Sequence, residues 1–169
     1  MSRIKNLTSA GWLKDMEDNF QTLAPLADGN VAGLGVLRVA RFEFDTAGAD
    51  SAGEDNTAVG AHGVGVTFPA NAVIVGGFVD VNTAFTGETN ATLAISVQAA
   101  NDIISAAAVS GAPYSTVGRK AITPKANTPE STSIKTSAEK EITCTVGTAA
   151  LTAGKLTGYL YFVEGIASA

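Results

Sequence analysis

Beyond residue 36 the chain alternates apolar and polar residues with the two-residue period of a β-strand, and glycine or proline breaks the pattern at short intervals. The β-like runs cover residues 36–45, 64–68, 73–82, 92–99, 103–109, 116–122, 132–136, 140–146 and 155–164. The turn signals between them include Pro69, Thr86-Gly87, Gly111, Pro124 and Ala153-Gly154. Such a succession, with no helix between the strands, predicts an all-β antiparallel β-sandwich of about eight strands. Jelly-roll and immunoglobulin-like strand orders both fit.

Two of the predicted strands are apolar on both faces. They run from Val73 to Val81 and from Leu156 to Val163, and in the second strand Tyr159 and Tyr161 share one face. A single sandwich buries only one face of each strand, so the other apolar face needs a separate cover. We therefore expect Tyr159 and Tyr161 to contact a partner, either an arm of the chain or a neighbouring subunit.

The only good helix signal lies near the start, from Ser9 to Ala24. Its apolar residues recur at spacings of three and four, which places them on one helical face: Trp12, Leu13, Met16, Phe20 and Leu23. Pro25 is incompatible with an uninterrupted continuation of the helix. The sequence thus predicts an arm over residues 1–30 with a short amphipathic helix, and a sandwich domain over residues 31–169. The helix needs a partner surface, on its own sandwich or on another protein.

The chain lacks the residue patterns of an active site or a metal site. His62 is the only histidine and falls in a predicted acidic, glycine-rich loop over residues 46–63, while Cys144 falls on the apolar face of a predicted strand. Four acids in or beside that loop do not have the spacing of a calcium-binding loop: Asp45, Asp50, Glu54 and Asp55. We expect a protein that is not an enzyme, with no cofactor, no metal and no catalytic residues.

Charge and hydropathy exclude two classes of partner. The net charge is −5, whereas nucleic-acid binding relies on clustered lysine and arginine. No apolar run approaches the ~20 residues that cross a bilayer, and the start of the chain lacks the apolar core of a signal peptide. We expect no nucleic acid and no membrane as partners, and synthesis in the cytoplasm of the cell that makes the protein.

Two segments resemble one group of proteins when they are taken together. Residues 67–81 (TFPANAVIVGGFVDV) are similar to a stretch found in virion proteins of tailed bacteriophages. The later segments KEITCTV at 140–146, ALTAGKL at 150–156 and YLYFV at 159–163 resemble the closing pattern of the same group. The likeness runs in order over about residues 36–164. It identifies the chain as similar to head decoration, or cement, proteins.

The resemblance implies a small β-rich structural protein on the capsid exterior of a virion. It implies a homo-oligomer, often a trimer, that binds across adjacent subunits of the major capsid protein. It supplies no catalytic motif. Two other functions stay open: a tail or fibre module that recognises a host surface, and a carbohydrate-binding β-sandwich.

Overall fold

A computed structural model describes residues 37–123 and 133–164 of the chain. These residues form nine β-strands, and the described part contains no helix. The strands are β1 (Leu37–Asp45), β2 (Gly60–Phe68), β3 (Val73–Gly87), β4 (Thr92–Ser96), β5 (Ile104–Ala108), β6 (Gly118–Ile122), β7 (Ile134–Lys135), β8 (Lys140–Gly147) and β9 (Leu151–Val163). The predicted all-β class is confirmed, whereas the predicted arm over residues 1–30 lies outside the described residues.

The strands form two antiparallel sheets. The first has the order β1-β9-β3-β6, with the two-residue strand β7 also paired to β3, and the second has the order β2-β8-β4-β5. Early strands therefore pair with late ones: β1 with β9, β2 with β8, β3 with β6 and β4 with β5. The chain folds back on itself as one long hairpin and rolls up, which is the connectivity of a jelly roll.

The inner faces of the two sheets enclose one hydrophobic core. In β8, Ile142, Cys144 and Val146 are buried while the residues between them are half-buried, as the alternation of that strand predicts. The first sheet contributes aromatic rings, and Phe44 stacks on Phe85 with 6.2 Å between ring centroids. Apolar burial of this kind is the main stabilising contribution to the fold.

Two predicted turns belong to strands instead. Ala153-Gly154 lies inside β9, where Gly154 has a φ of +144° and a Cβ would collide with the ring of Phe85. That glycine makes room for an aromatic ring in the core and does not end a strand. Similarly, Thr86-Gly87 ends β3 and still pairs with β9.

The predicted loop over residues 46–63 is shorter than the sequence indicated. β2 begins at Gly60, so His62 lies in a strand, opposite Cys144 of β8, and is only 3% exposed. The interpretation of His62 as a loop residue was wrong. Glycines on both sides of it made the segment look like a turn, but Gly60 and Gly63 are paired with β8.

Candidate functional site: the outer face of the five-stranded sheet

The pairing of the first sheet brings its outward-facing apolar residues into one area. Val39 of β1 is opposite Tyr161 of β9, and Leu37 is opposite Val163. On the other side of β9, Phe78 of β3 is opposite Tyr159. Because side chains alternate along a strand, these odd-numbered residues of β1 and β9 point away from the core that Phe42 and Leu160 fill.

A bulge in β3 adds one more apolar side chain to this face. Val75 and Gly76 together stand opposite the single residue Tyr161, between the regular pairs of Ile74 and Gly77. The extra residue in a bulge shifts the direction of neighbouring side chains, and Val75 is 44% exposed. We call the resulting surface the outer patch; it consists of Leu37, Val39, Val73, Val75, Phe78, Tyr159, Tyr161 and Val163.

The centre of the outer patch is a packed aromatic cluster. The rings of Phe78 and Tyr159 stack with centroids 4.7 Å apart, and Tyr161 approaches Phe78 at 6.2 Å with its ring tilted by 60°. The guanidinium carbon of Arg119 lies 4.4 Å from the centroid of Phe78. Offset stacking and the cation both fix the orientation of these rings, so the cluster is a preformed surface.

Arg119 is itself held in place by Asp80. Its Nε and Nη2 donate hydrogen bonds of 3.0 and 3.1 Å to the two carboxylate oxygens of Asp80, which neighbours it across the β3–β6 pair. These hydrogen bonds raise the pKa of the Arg119 guanidinium. The bidentate geometry keeps the guanidinium plane over the ring of Phe78.

The rim of the outer patch carries charges of both signs. Lys155 of β9 lies between two carboxylates of β1, 2.7 Å from Glu43 and 3.0 Å from Asp45. The hydrogen bonds that Lys155 donates, first to Glu43 and then to Asp45, raise its pKa. Arg41 also approaches Glu43, at 3.6 Å. An apolar centre with a mixed charged rim is the anatomy of a protein–protein interface.

The outer patch is exposed to solvent to an unusual degree for apolar residues. Leu37 is 59% and Val39 55% exposed, and they lie side by side with the half-buried Tyr161 and Val163. Isolated exposed apolar residues are common in soluble proteins, but contiguous ones mark sites of interaction. The prediction that Tyr159 and Tyr161 share an outward face is confirmed by the register; their contact with a partner stays a prediction.

Other predicted site residues fall elsewhere. The stripe of the predicted helix lies outside the described residues: Trp12, Leu13, Met16, Phe20 and Leu23. Sequence reasoning missed Phe78 and Arg119. Phe78 could have been found, because it lies in the doubly apolar run from Val73 to Val81. Arg119 could not, since its place depends on the register of β6 against β3.

The acids at the end of β1 and in the loop that follows it are engaged with the protein itself. Asp45 accepts hydrogen bonds from the amide of Ala47 and from Lys155. The first of these, and then the second, lower the pKa of the Asp45 carboxyl. Asp55 accepts hydrogen bonds from the amide and hydroxyl of Thr57, and its pKa is lowered as well. Within residues 37–123 and 133–164, no three metal-ligating side chains come together. No helix in the same ranges is long and apolar enough to cross a membrane.

No family model matches the chain, and the curated proteins contain no significant match to it. Three solved structures do match. A chain in the capsid of Ralstonia phage GP4 has a TM-score of 0.54 and 18% identity, over 79% of this chain and 87% of that one. This chain has the fold of phage capsid chains.

The other two matches have the same character. A chain of the cyanophage Pam1 capsid asymmetric unit has a TM-score of 0.51 and 17% identity, over 78% of this chain and 86% of that one. A chain of the acidic stable capsid of Helicobacter pylori bacteriophage KHP30 has a TM-score of 0.50 and 13% identity, over 77% of this chain and 90% of that one. With identities this low, what the chains share is the fold.

Proposed function

We propose that this protein is a structural component of a bacteriophage virion that decorates the capsid exterior and cements it. It binds across adjacent subunits of the major capsid protein and acts as a homo-oligomer, which we take to be a trimer. The outer patch is the observation that carries the proposal, because a rigid apolar surface of this kind needs a partner. The fold shared with chains of three phage capsids supports it.

The partner we assign to the outer patch is a second copy of this chain. Its centre is uncharged and aromatic, which suits an interface that stays closed, and tyrosine is among the residues that contribute most to such interfaces. Its rim carries Arg41 and Lys155 beside Glu43 and Asp45. Both signs of charge are thus available on one surface, so that two copies can form ion pairs with each other.

The second contact, to the major capsid protein, falls to the predicted amphipathic segment Ser9–Ala24. Its apolar stripe includes Met16, Phe20 and Leu23, and burial of each such side chain contributes roughly 1.5–3 kcal/mol before ordering entropy is subtracted. An oligomer presents several copies of the segment at once. Weak single contacts then add up to firm attachment, as cementing requires.

The aromatic cluster also favours one alternative function. Phe78, Tyr159 and Tyr161 form a surface on which the rings of a sugar could stack, as in a carbohydrate-binding or tail-fibre module that recognises a host surface. Arg119, however, already covers one side of Phe78 at 4.4 Å and reduces the face left for a ligand. The cementing function is therefore the stronger proposal.

Binding of the full chain to expanded heads, in parallel with a glycan array, separates these functions. Retention on heads and on no glycan supports a cement protein, and retention on glycans alone supports the alternative. A Phe20→Ser variant should bind heads about tenfold more weakly, since it removes one aromatic ring that we assign to the contact. Gln21→Ser, on the polar side of the same predicted helix, is the matched control. Equal binding by both variants would remove the segment from the interface.

A further inference from the structure

His62 is buried with both ring nitrogens facing oxygen atoms. Its Nε2 lies 2.8 Å from the carbonyl oxygen of Ala58. Its Nδ1 lies 3.4 Å from Oδ2 of Asp50, and the two side chains are each 4% exposed. Among the described residues Nδ1 has no hydrogen-bond partner of standard geometry, so the carboxylate is the polar group that it faces.

The proton positions follow from the chemistry of these partners. A carbonyl oxygen only accepts, so the short contact to Ala58 requires a proton on Nε2. In a neutral imidazole, Nδ1 would then be a bare lone pair that points at a buried carboxylate. Two buried acceptors facing each other are unfavourable. A second proton on Nδ1 removes the conflict and forms an ion pair with Asp50.

Asp50 connects this pair to the loop between β1 and β2. Its Oδ1 accepts hydrogen bonds of 2.8 Å from the amides of Ala52 and Glu54. The next residue, Ser51, donates its amide to the carbonyl of Gly63 in β2 at 2.8 Å. The carboxylate that faces His62 is therefore the one that shapes the loop segment whose Ser51 amide bonds to β2.

The remaining titratable groups around His62 do not replace Asp50. Cys144 is opposite His62, Glu141 lies beside Gly63, Asp55 interacts electrostatically with the ring, and Glu43 lines a cavity with Asp50. Glu43 is paired with Lys155, and Asp55 with Thr57. Glu141 accepts the amide of Gly65 at 2.6 Å. Burial raises the pKa of the Cys144 thiol, so it stays neutral opposite the ring.

We propose that His62 and Asp50 form a buried, proton-dependent latch that fixes the loop between β1 and β2 to the second sheet. Loss of the Nδ1 proton opens the latch and frees residues 50–54. Histidine is the side chain whose charge ordinarily changes between about pH 5 and 8. The proposal rests on the geometry of the loop and is independent of the proposed function.

The sign of the pH dependence follows from the two partners. The stabilisation is present while His62 is protonated and is lost as the pH rises through its deprotonation. At low pH the ion pair is lost when the Asp50 carboxylate becomes protonated. The pKa of that carboxyl is lowered first by the amide of Glu54, and also by Ala52 and His62. The latch therefore stays closed below the pH at which an ordinary aspartate becomes protonated.

Because His62 is the only histidine, nitrogen NMR of the uniformly labelled full chain reports its ring without assignment work. While the loop is closed we expect both ring nitrogens to be protonated. When the pH is raised, the amide hydrogens of Ser51, Ala52 and Glu54 should exchange with solvent faster. We expect the rates to rise about tenfold more than the pH dependence of intrinsic amide exchange predicts, as expected for a lost charged hydrogen bond. A neutral ring, protonated on Nε2 alone, in a protein whose Ala52 and Glu54 amides are still protected from exchange would overturn the proposal.

Two variants locate the effect. Asp50→Asn should lose the proton on Nδ1 under conditions where the wild type keeps it, with fast exchange at all pH values. Asp55→Asn is the matched control, because it removes an acid of the same loop that is bonded to Thr57, and it should keep the doubly protonated ring. If Asp50→Asn does not fold, the wild-type spectrum still decides. An identical ring state in the wild type and Asp50→Asn would contradict the latch.

Discussion

Gly158 lies in the middle of β9, where the ring of Phe42 packs directly against its backbone. A Cβ at this position would collide with three atoms of that ring. We expect Gly158→Ala to lower the free energy of unfolding by about 1–3 kcal/mol, because an overpacked core forces its neighbours to shift. Urea denaturation measures the change. Gly76→Ala is the control: a Cβ there meets nothing within 4 Å, and an equal loss in both variants would contradict the packing argument.

Cys144 offers a second residue-level test, through its reactivity. The thiol is fully buried in β8, and this burial raises its pKa, so the reactive thiolate is suppressed. We expect a water-soluble disulfide reagent to leave the native protein unmodified at pH 8 and to modify it fully in urea. Rapid modification of the folded protein would show that the core around β8 opens easily, against the packing described above.

At the scale of elements, the two long central strands of the first sheet make both the core and the outer patch. β3 and β9 are paired over most of their length, with Phe78 and Tyr159 on the outer side and Val79 and Leu160 on the inner side. An amphipathic strand would supply only one of these surfaces. The doubly apolar composition is thus explained by a strand pair with a core on one side and a proposed subunit contact on the other.

This arrangement is tested by placing a charge on the outer patch. Val39→Asp should weaken self-association at least about tenfold, because a carboxylate would be buried without a partner in the interface. Sedimentation velocity measures the oligomer. Val59→Asp is a matched control, because Val59 is 58% exposed, close to the 55% of Val39, and lies in the loop before β2. A wild-type chain that stays monomeric at micromolar concentration would contradict the oligomer.

The strands were predictable from the sequence, and their spatial neighbours were not. Periodicity located nearly every strand, because alternation reports which side of a strand is buried. It also placed Tyr159 and Tyr161 on one outward face. The roles of Gly154 and His62 were misjudged, since glycine-rich segments look like turns unless the packed ring or the paired strand is known. Arg119 joins the outer patch through a strand register, which no local pattern encodes.

At the scale of the whole molecule, acidic groups at the end of β1 and in the loop after it set the response of stability to acid. The pKa values of Asp45, Asp50 and Asp55 are all lowered, in each case mainly by backbone amides of the folded loop. A carboxyl with a lower pKa in the folded state stabilises the fold above its unfolded value near pH 4, and this contribution is lost as the pH falls.

The urea midpoint of unfolding should therefore decrease as the pH is lowered below about 4. Asp55→Asn should flatten part of this acid dependence, because it removes one group whose pKa changes on folding. Glu88→Gln is a control for a lost negative charge outside this loop. A midpoint that does not change down to pH 3 would mean that the three carboxyls bind their protons equally in both states. In that case the loop would not be held by the hydrogen bonds of Asp45, Asp50 and Asp55 in solution.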